Sequence, residues 1–208
     1  MSERAFYLGE SKKSVTASIR DVEAGTAAEL VVAVKHSSGD YRDLNYLVGF
    51  VVALSTLCAL LFLPTSFAVW AMPVDVLVSF VVGAYAASNA PALRRLLLSG
   101  RRAETAVQSA ACSAFVARGI SRTKGRHGVL VFVSTFERKV ACLPDIGVDV
   151  AALGDPWRVA QQALRDAVAR LDFDAFVIAL RSLGPPLAAV MPHQDDDENE
   201  LPDEVVES

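Results

Sequence analysis

A chain of 208 residues with 52% hydrophobic content is more apolar than one soluble domain of that length requires. Its formal charge of −4 and the absence of any recognition motif argue against a nucleic-acid binder. Three cysteines without a Cys-x-x-Cys pair argue against a disulfide scaffold and suit reduced, structural thiols.

In chain order, residues 1–20 are polar and lack the apolar core of a cleavable signal peptide. Val15, Ile19, Val22 and Thr26 recur at helical spacing, so residues 12–24 read as an amphipathic helix. Glu29–Lys35 is a β-branched apolar run and reads as a buried strand. Residues 44–74 carry no charge; Asp75 interrupts, and 76–93 are again uncharged. A spanning helix needs ~20 apolar residues. Pro64 and Pro73 divide the stretch into spans at about 44–63 and 73–93, joined by a tight turn. A buried soluble helix would keep a polar face, which 44–63 lacks. Asp75 falls in the first turn of the second span, where an acid suits the helix dipole.

Arg42 precedes this hairpin, Arg94, Arg95, Arg101 and Arg102 follow it, and the turn has no Lys or Arg. The expectation is a multi-pass protein of the plasma or inner membrane with both flanks cytoplasmic. Tyr46 and Trp70 suit the membrane interfaces, and Tyr85 reads as a deeper helix-packing residue. The small residues Gly83, Ala84, Ala86 and Ala87 would allow close contact of the hairpin with itself or with another membrane protein.

Residues 102–118 read as a helix with Val107, Ala111, Ala114 and Phe115 on one face, stopped by Gly119. Gly128–Ser134 is a second buried strand and residues 139–143 a third, joined in a hairpin. Asp155 and Pro156 read as the start of a helix with Trp157, Ala160, Leu164, Val168 and Leu171 on one face. A last helix begins near Asp174, carries Phe176, Leu180, Leu183 and Leu187, and is bent or ended by Gly184, Pro185 and Pro186. Residues 193–208 hold eight acidic residues and no Lys or Arg. They read as a disordered tail, either merely solvating or tethered to a basic surface. The expected class is α/β: a small αβα sandwich interrupted by a two-helix transmembrane hairpin. Its parts are 1–43, the hairpin 44–93, 94–192 and the tail 193–208.

The segments ASIRDVEAGTAAELVVAVKHSSGDY and TKGRHGVLVFVSTFERKVACLPDIGVD resemble the two halves of a TPM domain. They look most like the bacterial membrane-protein branch in which a hairpin separates those halves. The trailing PWRVAQQALRDAVARLDFDAFVIALRSLGPPLAAVMP is similar to that branch's C-terminal helices. The resemblance covers nearly all of 12–192 and implies an αβα fold. Some TPM domains are described as phosphatases and others as accessory factors of membrane protein complexes.

Direct inspection finds no phosphate loop, dinucleotide fingerprint, nucleophile elbow or zinc ligand set. Two clusters stand out. Asp145, Asp149 and Asp155 follow the third strand and could hold Ca²⁺ or Mg²⁺, which prefer carboxylate oxygens. The simpler reading is that Asp145 makes a turn, Asp149 is solvated and Asp155 caps a helix, jobs that carboxylates at strand ends usually have. Arg118, Arg122, Lys124 and Arg126 form a basic loop that could contact an anionic lipid headgroup or a phosphate, or could simply be solvated. Two functions follow as expectations: a membrane-anchored, non-enzymatic docking or assembly factor, or a metal-dependent phosphatase.

Overall fold

The computed structural model describes residues 3–63, 68–123, 125–193 and 206–207. The chain forms two compact units, one made of Met1–Ser38 with Ala103–Ser208, the other of Gly39–Arg102. The insertion is therefore wider than the expected 44–93.

In the first unit, β1 (Glu29–Lys35), β2 (Gly128–Ser134) and β3 (Lys139–Pro144) form a mixed sheet. β1 and β2 run parallel, pairing Glu29 with Gly128 through Lys35 with Ser134. β2 and β3 are the expected antiparallel hairpin, pairing Ser134 with Lys139 through Val129 with Pro144. A parallel pair needs a long crossover; here the crossover contains the whole second unit.

β1 and β2 are apolar at consecutive positions because the sheet is packed on both faces. Leu30, Val32, Val34, Val129, Val131 and Val133 feed one core. Val31, Ala33, Leu130 and Phe132 feed the other. The first core is closed by α1 (Gly9–Glu23), α6 (Val150–Arg170), α7 (Phe173–Arg181) and α8 (Gly184–Val190). The second is closed by α5 (Gly100–Ala117), through Val107 and Ala111, with Ile120 from the following turn. Ala114 and Phe115 pack against it. Gly119, at φ 68°, ends this helical region as expected.

Three boundaries differ from expectation. α6 starts at Val150, capped by Asp149, and bends at Gly154, whose φ of 61° and ψ of −151° are non-helical. Asp172, not Asp174, caps α7, accepting a hydrogen bond from the Ala175 amide at 3.1 Å. Gly184 and the two prolines do not merely bend the last helix but begin a separate one, α8. In the acidic segment, Val206–Glu207 forms β4, paired in parallel with Ala33 and Val34 on the free side of β1. These two residues depart from the disordered reading; residues 194–205 lie outside the described ones.

The second unit contains α2 (Arg42–Phe62), α3 (Met72–Ser88) and α4 (Pro91–Leu97). At ~1.5 Å rise per residue, α2 is about 32 Å long and α3 about 26 Å. The second apolar helix ends at Ser88, not Leu93. α4 restarts after Asn89 and Ala90 at 95° to α3. Pro91 supplies no amide to continue the helix, which explains the break.

α2 and α3 pack through glycine. A Cβ on Gly49 would lie 2.7 Å from the Phe80 carbonyl oxygen and 3.0 Å from Ala84 Cβ. A Cβ on Gly83 would lie 2.9 Å from Val52 Cβ. Gly83 thus serves the hairpin's own crossing. Tyr46 stacks near Phe80, with ring centroids 6.4 Å apart. Phe50, Leu54, Leu61, Phe62, Leu77, Val81 and Val82 point outward. Tyr85 is also outward, at 71% exposure, so it is not the packing residue expected. Asp75 lies in the first turn of α3, as expected.

By length and composition, two stretches among the described residues could cross a membrane, Arg42–Phe62 and Phe173–Val190, and a third could if α3 and α4, bent by 95°, count as one span. The second is α7 plus α8, broken between them. Its Phe176, Leu180, Leu183 and Leu187 are fully buried in the core that β1 and β2 share.

Candidate functional site

The three carboxylates of the acidic trio are engaged separately, each in its own local bonds. Asp145 is buried at the end of β3. One carboxylate oxygen accepts from the Ile146 amide at 2.8 Å and the other faces Arg126 Nε at 3.3 Å. Asp149 accepts from the Ala151 and Ala152 amides at 3.0 and 3.1 Å, satisfying amides that the first turn of α6 leaves unpaired. Asp155 is exposed and pairs with Arg158 one turn on, at 3.1 Å. Among the described residues, no three His, Cys, Asp or Glu side chains are grouped to hold a metal. Nothing in this arrangement supports the expectation of Ca²⁺ or Mg²⁺ on Asp145, Asp149 and Asp155. Turn and cap chemistry favours Asp at these positions for local reasons.

The basic loop is likewise divided. Arg126, held at φ 53°, is engaged by Asp145. Its carbonyl accepts from the Gly147 amide at 3.0 Å. Gly147 has to be glycine here, because a Cβ would lie 2.4 Å from the Gly125 carbonyl oxygen. Arg118 is half-buried, and burial lowers its pKa below the ordinary guanidinium value. Arg122 follows on the short helical turn Ile120–Arg122. Lys124 lies outside the described residues.

Two arrangements escaped the sequence. The first is a buried polar cluster where β1 and β2 end. One Glu137 carboxylate oxygen accepts from the Ser38 amide at 2.8 Å, and the other accepts from the Ser134 hydroxyl. Ser38 Oγ donates to Ser134 Oγ at 2.9 Å, and Tyr7 Oη lies 3.0 Å from Thr135 Oγ1. Ser134 and Thr135 are fully buried. The cluster ties down residues 37 and 38 just before the chain leaves for the second unit. Tyr7 and Ser38 come to Ser134, Thr135 and Glu137 from about a hundred positions away or more, so no local pattern could reveal the cluster.

The second is a groove of about 310 Å³ along β3, between α5 and α6. Arg138, Lys139, Cys142, Glu104, Arg165 and Asp166 are among its lining residues. Lys139 lies 3.9 Å from Glu104, and Gln162 donates to Asp166 at 2.9 Å. Burial pushes the Cys142 thiol up to about 12, with Arg165 acting in the opposite sense. The thiol is therefore protonated at neutral pH and is no nucleophile. The sequence signal for the groove was only the third strand itself, which among the described residues pairs with β2 alone.

No family model matches the chain, and no curated protein matches it. Among solved structures, it is similar to the NMR structure of the BA42 protein from the psychrophilic bacterium Bizionia argentinensis. The TM-score is 0.58 at 17% identity, covering 97% of this chain and 94% of that one. At that identity the likeness concerns the fold. The class that fold and composition define is an α/β domain with a small mixed sheet, in a chain that also carries helices long and apolar enough for a membrane.

Proposed function

We propose that the protein is a membrane-anchored docking or assembly factor, built as a TPM-like αβα domain interrupted by a transmembrane hairpin. The observation that carries the reading is the character of the α2–α3 pair. It is joined internally by glycine contacts and presents Phe50, Leu54, Leu77 and Val81 outward. Such a surface is stable in hydrocarbon and costly in water. α4 fits the same picture. If α3 stands along the bilayer normal, the 95° bend lays α4 in the interface, with Leu96 and the paired Arg94 and Arg95 at headgroup depth. The arginines flanking the hairpin support a cytoplasmic domain. A docking role is favoured over hydrolysis because Asp145, Asp149 and Asp155 are each engaged in local bonds.

The test has two parts. Membrane pellets washed with alkaline carbonate should retain the protein, and a reporter fused after Ser208 should be active only in the cytoplasm. Detergent-purified protein titrated with Ca²⁺, Mg²⁺ or Mn²⁺ should show no thermal stabilisation and no phosphatase turnover. Release by carbonate or an external reporter would overturn the anchoring. Metal-dependent turnover would replace docking with the phosphatase reading.

A further inference from the structure

Among the described residues, the outer side of β3 is an open sheet edge. The Asp145 amide donates to the Gly128 carbonyl at 2.8 Å, one position beyond the last pair of the β2–β3 ladder. Antiparallel pairs alternate between hydrogen-bonded and non-hydrogen-bonded. Positions 139, 141, 143 and 145 therefore bond toward β2. Val140 and Cys142 turn their amides and carbonyls away, into the groove between α5 and α6. Unpaired edge groups of this kind are a template for another strand. Pro144, which lacks an amide, ends the template.

The charges beside that edge are unequal in their engagement. Both carboxylates of the groove have a neighbour, Glu104 in Lys139 and Asp166 in Gln162. Arg138 and Arg165 make no ion pair among the described residues. Arg138 also sits at φ 52°, where glycine or asparagine would be easier.

From these observations we propose that the β3 edge is a strand-addition site for an extended, acid-rich peptide segment. The segment's backbone pairs with Val140 and Cys142, and its carboxylates meet Arg138 and Arg165. This inference rests on the docking reading and names the chemistry of what docks. Residues 194–208 carry that chemistry, with eight acidic residues, and within them Val206 and Glu207 take strand form here on the opposite, β1 edge of the sheet. Their sequence is accordingly the probe.

The experiment uses the full chain in detergent micelles and a fluorescent synthetic peptide of residues 194–208. A counterpart peptide has every Asp and Glu replaced by Asn and Gln. The acidic peptide should bind, more weakly as salt rises, and the neutral one should bind at least on the order of tenfold more weakly. Hydrogen exchange should slow at the Val140 and Cys142 amides. The Arg138→Glu, Arg165→Glu double variant should lose binding. Should that variant fail to fold, Arg138→Gly with Arg165→Gln removes both charges while relieving the strain, and should lose binding equally. Absence of binding, equal binding of the two peptides, or binding indifferent to both arginines would overturn the proposal. Such a failure leaves the docking reading standing, because that reading is judged by carbonate extraction and turnover. Metal-dependent turnover would in turn overturn the docking reading without touching the peptide result.

Discussion

Replacing Gly49 or Gly83 by alanine measures how tightly α2 and α3 approach. A new Cβ at Gly49 would sit 2.7 Å from a backbone oxygen of Phe80 and 3.0 Å from Ala84 Cβ. At Gly83 it would sit 2.9 Å from Val52 Cβ and 3.2 Å from the Gly49 Cα. Comfortable carbon contacts lie near ~3.5–4.0 Å. Each substitution therefore requires the helices to separate by roughly half to one ångström, and at Gly49 the obstacle is backbone that cannot rotate away. Overpacking of this kind costs about 1–3 kcal/mol, against which alanine returns up to ~1 kcal/mol in helix propensity. The expected net loss is about 1–2 kcal/mol at Gly49 and less at Gly83, where Val52 can adjust. Gly100, in the first turn of α5, is the control, since a Cβ there meets nothing within 4 Å. Gly100→Ala should be neutral or slightly stabilising. The assay is unfolding of the purified chain by SDS in mixed micelles, with helix content as the signal. Gly49→Ala behaving like Gly100→Ala would refute the close crossing.

Two further outcomes follow from the soluble unit. With its thiol held near 12 by burial, Cys142 carries a thiolate fraction at pH 8 of about one in ten thousand, compared with about a quarter for an ordinary thiol. Iodoacetamide followed by mass spectrometry should therefore modify exposed Cys112 at least a hundredfold faster than Cys142, a gap that denaturation closes; equal native rates would contradict the buried thiol. Glu137→Ala strips the acceptor from the Ser38 amide and the Ser134 hydroxyl, which should cost about 1–3 kcal/mol and speed hydrogen exchange at Ser38. An unchanged thermal midpoint and unchanged exchange would show that this cluster does not hold the end of β1.

Much of the framework was legible because it is local. Val15, Ile19 and Val22 repeat at helical spacing, and they are the buried face of α1. The runs at Glu29–Lys35 and Gly128–Ser134 are apolar at consecutive positions, and both strands are buried on both faces. The charge-free stretch after Asp43 needs no tertiary information to stand out. The right-angle turn before Pro91 was not legible, since proline forbids a helical bond without setting the direction that follows. The acidic trio left two readings open because Asp serves turns, caps and metals with the same carboxylate, and sequence spacing does not tell which groups surround it.

The sequence alone thus determined the element types, the apolar hairpin and the acidic segment, because periodicity, charge gaps and proline act within a few neighbouring residues. Only the tertiary structure decided the parallel pairing of β1 with β2, the bond of buried Glu137 to Ser38, 99 positions away, and the Gly49–Gly83 crossing. It also decided that β3, not β2, is left with an open edge beside Arg138 and Arg165. The physical reason is that each of these depends on which distant groups meet, and strand order, close approach and pairing are settled by packing the whole chain at once.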